Sequence, residues 1–244
     1  MSLGIIGGMG PMATVYFMEL IVKMTKAGRD SEHLEMIVYN APTIPDRTQF
    51  ILGKSEESPL PRMLEIEKQL KKQNVTCIAI PCMTAHYFHE ELMEMGVPVI
   101  HGIRETAETL KESGVTRVGI MATDGTISSG IFQREVEALG MEAVIPEERY
   151  QTEIMGMIYE DIKAGKMPEL SRFHNIKEYF IKEKGAQAVV LGCTELSLLK
   201  KAYDLGDAVI DTLEVLAKEA IECCGMEVNT EYERLCVPFL NDCN

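Results

Sequence analysis

Two short patterns in the chain occur twice at nearly the same spacing, and that echo constrains the fold more than any other feature. Leu3-Gly4-Ile5-Ile6-Gly7-Gly8 resembles Val118-Gly119-Ile120-Met121-Ala122-Thr123, and Ile78-Ala79-Ile80-Pro81-Cys82-Met83-Thr84 resembles Val189-Val190-Leu191-Gly192-Cys193-Thr194. The separations are 115 residues for the first pair and 111 for the two cysteines. Each pattern is a short apolar run ending in small residues, the signature of a buried strand running into a turn. A duplication of this kind gives two α/β halves, each carrying one Cys at the carboxyl end of a strand.

The rest of the chain fits that plan. Apolar runs at Leu3–Ile6, Glu35–Tyr39, Cys77–Ile80, Val97–Ile100, Arg117–Met121, Ala143–Ile145, Ala188–Leu191 and Ala208–Ile210 read as strands. Between them lie amphipathic stretches at Ala13–Ala27, Leu60–Gln73, His86–Met95, Ile103–Glu112, Ser129–Ala138, Gln151–Ala164, Ile176–Lys184 and Thr212–Cys224. Alternation of this sort builds parallel sheets covered by helices, and strands this short and numerous suit two sheets better than one. The expected fold class is α/β with two similar domains, each a mainly parallel sheet flanked by helices, and a cleft between them.

Charge and hydropathy remove several function classes. Lys and Arg total 24 against 38 Asp and Glu, a net charge of −14, which disfavours a general grip on nucleic acid because such binders neutralise phosphates with basic side chains. No apolar run approaches the roughly 18 residues of a membrane helix, and no charged segment precedes the apolar start as in a secretion signal. A cytoplasmic protein with a small-molecule partner is expected. Its seven cysteines are an odd number for a disulfide framework and are expected to be mostly reduced.

Cys82 and Cys193 stand out because ligands of parallel α/β sheets bind beyond the carboxyl ends of strands. A helix start follows each of them, where free N–H groups and the dipole favour a thiolate, the basic and nucleophilic form. A lone free Cys is most often a small core residue, and the matched pair is what lifts these two above that reading. Gly8-Met9-Gly10-Pro11-Met12-Ala13 fits the loose dinucleotide pattern G-x-G-x-x-A. Against it, the second strand ends at Asn40, where a ribose-binding acid is expected, so a tight turn approaching another small ligand is favoured. His86 and His89 near Cys82 lack the paired spacing of structural zinc, and His86 reads as a capping or packing residue. Arg47 after a Pro-rich loop and Lys163 at a helix end do not by themselves identify an anionic ligand.

Taken together in order, Gly7-Gly8-Met9-Gly10-Pro11, Pro45-Asp46-Arg47-Thr48, Pro81-Cys82-Met83-Thr84-Ala85-His86, Ile162-Lys163-Ala164-Gly165 and Leu191-Gly192-Cys193-Thr194-Glu195-Leu196 resemble the aspartate/glutamate racemase superfamily, and within it the aspartate racemase branch. The resemblance implies a first domain of residues 1–102 with a returning segment 208–244, a second of residues 103–207, and a homodimer that uses no cofactor, neither pyridoxal phosphate nor metal, with its site in the interdomain cleft. It implies that Cys82 and Cys193 exchange the α-proton of an amino acid as acid and base on opposite faces. It places Met9, Arg47, Met83, Thr84, Thr123, Lys163 and Thr194 around the substrate, with Arg47 and Lys163 suited to a side-chain carboxylate. Aspartate is the expected substrate and glutamate the next. One position departs from the family pattern: Met83 stands where Asn is usual, which exchanges a hydrogen-bonding amide for a weak acceptor. The alternatives are a broad-specificity amino-acid racemase of the same superfamily, more remotely a hydantoin racemase or maleate isomerase, and a non-catalytic nucleotide- or metabolite-binding protein.

Overall fold

The computed structural model describes residues 1–239. The first half runs β1 (Ser2–Gly7), α1 (Pro11–Met24), β2 (Glu35–Asn40), α2 (Arg47–Ile51), α3 (Leu60–Lys72), β3 (Cys77–Ala79), a tight turn of helix at Met83–Phe88, α4 (His89–Met93) and α5 (Gly102–Glu112). The second runs β4 (Arg117–Met121), α6 (Asp124–Ser129), α7 (Ile131–Ala138), β5 (Glu142–Val144), α8 (Glu148–Gly156), α9 (Leu170–Glu178), β6 (Ala188–Leu191), α10 (Thr194–Ala202), β7 (Val209–Asp211) and α11 (Thr212–Cys223). All strand pairs are parallel, in the orders β2-β1-β3 and β5-β4-β6-β7. The first three strands of the second sheet thus repeat the order of the first, which is the echo read from the sequence.

The matched glycines of the echo have a packing reason. A Cβ on Gly4 would lie 3.0 Å from Leu70 Cδ1, and one on Gly119 would lie 2.5 Å from the Phe180 ring. Each central strand therefore leaves a slot for a large side chain from a covering helix. Phe180 is fully buried there, a gain of roughly 2–3 kcal/mol that a Cβ at position 119 would forfeit by displacing the ring.

Several expected elements differ in detail. The strand read at 97–100 is reduced to one parallel bridge between Ile78 and Val99, because Pro98 has no N–H to extend the ladder. The helix read at 151–164 is α8, followed by a wider turn over Met157–Asp161 and a tight one over Ile162–Ala164, which Gly165 ends at φ 78°. Helices α6 and α10 are absent from the amphipathic stretches expected from sequence, since each is a short run, of six and nine residues, directly after a strand and its turn. The strand grouped with the first half at 208–210 is β7, which pairs with β6 in the second sheet. The chain crosses back only after Asp211, where α11 packs against α5, α1 and β3. Beyond it the tail touches both halves: Glu227 O accepts the Lys26 amide at 2.8 Å, and the Phe239 amide donates to Gln187 O at 2.7 Å. Cys243, read as a thiol, lies outside the described residues.

Candidate active site

Each half contributes one thiol from the turn after an inner strand. Cys82 follows β3 and precedes the turn at Met83–Phe88, while Cys193 follows β6 and precedes α10; both are 5% exposed. In both cases the backbone is extended at the cysteine and helical immediately after it, so free helix-start amides lie beside the sulfur. The two turns are joined directly, since the Thr194 hydroxyl donates to the Pro81 carbonyl at 3.2 Å. On the other side of Cys82, the buried His86 ring accepts the Gly102 N–H at Nε2 (3.0 Å), which leaves Nδ1–H to donate to the Cys82 carbonyl at 3.1 Å. Burial holds the His86 pKa down to about 3, so this ring is a neutral brace for the cysteine turn. That agrees with the packing role read from the sequence.

All nine residues read as site residues line one small cavity: Cys82, Cys193, Met9, Arg47, Met83, Thr84, Thr123, Lys163 and Thr194. The cavity is closed to about 10 Å³, room for one water at most. It abuts a vestibule of about 490 Å³ between the halves, and Met9, Arg47, Lys163 and Glu195 form the wall common to both. The glycine loop makes the vestibule's other side. Gly8 sits at φ 96°, and a Cβ there would fall 2.4 Å from the Ala41 backbone, so Gly8 is required for the loop to pass. Thr14 fixes that loop by accepting the Gly8 amide at 2.9 Å.

A web of hydroxyls closes the inner wall. Thr48 donates to Thr123 at 3.2 Å, Thr84 lies 3.0 Å from Thr123 and 2.9 Å from Thr126, and Thr123 caps α6 at the Thr126 amide. The halves meet closely here, as a Cβ on Gly125 would lie 2.8 Å from Thr48 Cα. Met83 borders the cavity, but its Cε end and Leu216 Cδ1 both lie against Gly102 of α5. The thioether is therefore turned largely toward the core.

The charged groups are placed asymmetrically. Arg47 is 7% exposed; its Nη atoms donate to the Pro45 and Met9 carbonyls at 3.1 Å each, and its Nε has no partner. Burial lowers its pKa, but the Cys82 sulfur and Asp46 carboxylate more than offset this. Lys163 Nζ lies 3.9 Å from Asp46 and 3.9 Å from the centre of the Tyr159 ring, and Tyr159 donates to Asp46 at 3.2 Å. Burial likewise lowers Lys163, and Glu195, Cys193 and Asp46 outweigh it, so the ammonium persists. Cys193 is pushed well above an ordinary thiol, first by burial and then by the Glu195 charge, and its Sγ donates to Glu195 Oε2 at 2.9 Å.

Glu195, Thr48 and Tyr159 also line this cavity, and the sequence reading did not assign them to it. Glu195 had a signal: an acid two residues after the cysteine, in the first turn of the helix that the cysteine opens. The site offers two thiols from opposite halves, cations near each, and donors between them, an arrangement suited to moving a proton across one carbon.

Known proteins share this arrangement of chain. Residues 6–220 match the family model described as Asp/Glu/Hydantoin racemase. A broad-specificity amino-acid racemase from Bacillus subtilis is 26% identical over 224 residues, spanning 90% of this chain and 96% of that one. The structure of an aspartate racemase from Picrophilus torridus is 31% identical, with a TM-score of 0.82 over 97% of this chain and 100% of its own. An aspartate racemase homologue from Pyrococcus horikoshii is 25% identical, with a TM-score of 0.74 over 92% and 99% of the two chains. By sequence over most of its length and by the two-sheet fold, this chain belongs to the Asp/Glu/hydantoin racemase family of isomerases.

Proposed function

We propose that this protein is a cofactor-independent amino-acid racemase that acts on aspartate first and glutamate second, moving the α-proton between Cys82 and Cys193. The observation that carries the reading is the pair of thiols at equivalent ends of two sheets, bordering one closed cavity. Opening that cavity toward the vestibule admits the substrate between the sulfurs. Helix-start amides and the Thr84, Thr123 and Thr194 hydroxyls hold the α-carboxylate, which gains enolate charge as the proton leaves. The unpartnered Arg47 Nε, aided by Lys163, takes the side-chain carboxylate.

The resting protonation is set by environment. Cys193, raised by burial and by Glu195, begins as the thiol and proton donor. The enantiomer whose α-hydrogen faces Cys82 is then consumed with Cys82 as the base: its sulfur takes that proton, and Cys193 delivers one to the other face. For the opposite enantiomer Cys193 must first lose its proton, and Glu195 at 2.9 Å is the acceptor in reach.

A broader substrate range is the second reading. Asp46 and Glu195 already offset Lys163, so a neutral side chain leaves no isolated charge behind in the vestibule, and the Bacillus subtilis relative is named for broad specificity. Loss of optical activity across a panel of amino acids decides between them. Preference for aspartate or glutamate supports the first reading, comparable turnover of neutral amino acids the second, and no racemisation of any amino acid by folded protein removes both.

We also read the enzyme as a homodimer of a reducing, cytoplasmic compartment. Helix α1 presents Met12, Val15 and Val22 on one face, 63%, 48% and 45% exposed, unlike a helix made to face water. The six described cysteines are free thiols, as the mechanism needs. Sedimentation at assay concentration tests the dimer, and a monomer there removes it.

A further inference from the structure

Away from the cavity, three thiols meet where the start of β3 packs on the end of α11. Cys77 and Cys224 are fully buried, lie 147 residues apart in sequence, and hold their sulfurs 3.7 Å apart. The neighbouring Cys223 is exposed, and its thiol also faces Cys77. The Met1 side chain lies over Gly225, so the chain's amino terminus is at the same corner.

We propose that Cys77 and Cys224 form a reversible disulfide, reached from solvent through Cys223, and that this corner is a thiol-oxidation site separate from the catalytic pair. Closing the bond shortens the sulfur separation from 3.7 Å to the roughly 2.0 Å of a disulfide, a shift within reach of side-chain rotation. The two sulfurs share one S–H···S contact. That contact and burial hold the Cys77 thiol well up, while the same contact and the amino-terminal charge draw Cys224 down, so Cys77 can ionise only by passing its proton to Cys224.

The oxidant is a low-molecular-weight disulfide, RSSR. The exposed Cys223, having given its proton to solvent, attacks one sulfur of RSSR; a Cys223–S–S–R bond forms and RS⁻ leaves. Cys77, passing its proton to the neighbouring Cys224 sulfur as it reacts, attacks the Cys223 sulfur, forming a Cys77–Cys223 bond and expelling the second RS⁻. Cys224, having released that proton to RS⁻, then attacks the Cys77 sulfur and releases the Cys223 thiolate, which is reprotonated. In sum two protein thiols become one disulfide and RSSR becomes two RSH. The buried active-site thiols are spared, because the exposed Cys223 meets the oxidant first.

A core packing role for the two buried sulfurs makes a different forecast, since packed thiols stay alkylatable once the protein is unfolded. The whole protein is incubated with glutathione disulfide, unfolded in iodoacetamide, digested and read by fragment-resolved mass spectrometry. The expected product joins Cys77 to Cys224 with Cys223 alkylated, reverts with dithiothreitol, and raises Tm by roughly 5–10 °C through closure of the 147-residue loop. Cys223→Ser is expected to slow the linkage at least tenfold (~10×) while leaving its partners unchanged, since only the entry route is lost. Fully alkylatable Cys77 in the oxidised wild type, or an end product joining Cys77 to Cys223, overturns the proposal.

Discussion

The Cys193 thiol donates to Glu195 Oε2 at 2.9 Å, and Glu195 Oε1 would meet a Cβ on Gly10 at 2.9 Å, so this acid stands between one candidate catalytic sulfur and the glycine loop of the other half. Its charge has two opposed effects. It raises the Cys193 pKa, and in the proposed mechanism it is the group that receives the proton when Cys193 acts as base. Glu195→Gln is therefore expected to make Cys193 alkylate faster at neutral pH while racemisation slows by roughly 10²-fold. Because the two enantiomers are equal in free energy, kcat/KM must fall equally in both directions. Alkylation and turnover that move the same way would rule out the dual role.

Removing one sulfur separates the two faces of the reaction. In deuterated water Cys193→Ala retains Cys82, which takes the α-proton of one enantiomer and returns a solvent deuteron to the same face. Exchange at Cα without racemisation is expected for that enantiomer alone, and for the mirror enantiomer with Cys82→Ala. Racemisation itself is expected to fall by roughly 10²–10⁴-fold or more in either variant, since each direction needs both groups. Proton NMR of the α-position in each pure enantiomer measures this. Near-normal racemisation by Cys193→Ala would sink the two-thiol mechanism.

Arg47 addresses substrate choice. Its Nε is buried without a partner, and its two Nη bonds go to backbone carbonyls, so it is held in place awaiting an acceptor. Arg47→Met is expected to lower kcat/KM for aspartate at least tenfold (~10×) more than for alanine, because a charge-assisted bond is lost from the dicarboxylate alone. An equal loss for both substrates would show that Arg47 serves the α-carboxylate or the Cys82 turn instead.

The positions of most strands and the matched placement of the two cysteines were legible in the sequence because buried parallel strands leave apolar runs, as at Ala188–Leu191, whereas the order of strands within each sheet was not. The strand at Val97–Ile100 was overread, since apolar content carries no record of the missing Pro98 amide. Strand β7 reads like any other short run, and its sheet is set by pairing with β6, which periodicity does not encode. Arg47, Lys163 and the threonines came through motif resemblance rather than spacing. Glu195 was visible beside Cys193 and went unassigned because a carboxylate in a helix's first turn is ordinarily a dipole partner. Met83 shows the reverse case: the sequence marked a lost polar contact at the substrate, while the fold spends much of that side chain on Gly102 and the core.

The closeness of the halves at Gly125 gives a test of how the cavity opens. A Cβ there would come within 2.8 Å of Thr48 Cα, backbone that cannot yield locally, so Gly125→Ala has to part the halves. The Thr48 to Thr123 bond at 3.2 Å and the contacts of Thr84 are expected to loosen with it. The expected result is a fall in kcat of at least tenfold (~10×) from misplaced reacting groups, together with a lower Tm, since overpacking of this kind costs roughly 1–3 kcal/mol. Unaltered kcat would mean that closure at this contact is not needed for proton transfer.

Glu67 makes stability depend on pH. It lies on α3 with no exposed surface, neither carboxyl oxygen has a partner, and burial raises its pKa from 4.5 to about 7. Below the unfolded value both states are protonated and no penalty exists. Between about 4.5 and 7 the unfolded chain ionises while the folded protein does not, so stability falls as pH rises and then levels off. A gap of this size corresponds to a loss on the order of 3 kcal/mol. Glu105 and Glu214 are raised to about 7 as well and act with the same sign, so the wild-type slope alone does not isolate Glu67. Glu67→Gln keeps the volume and a buried polar group but no longer binds a proton. Chemical denaturation at pH 5 and pH 8 is expected to show the wild type losing roughly 2–3 kcal/mol more than Glu67→Gln between the two conditions, part of the effect being already in place by pH 5. Parallel losses in the two proteins would mean that Glu67 is not the group that couples protons to folding.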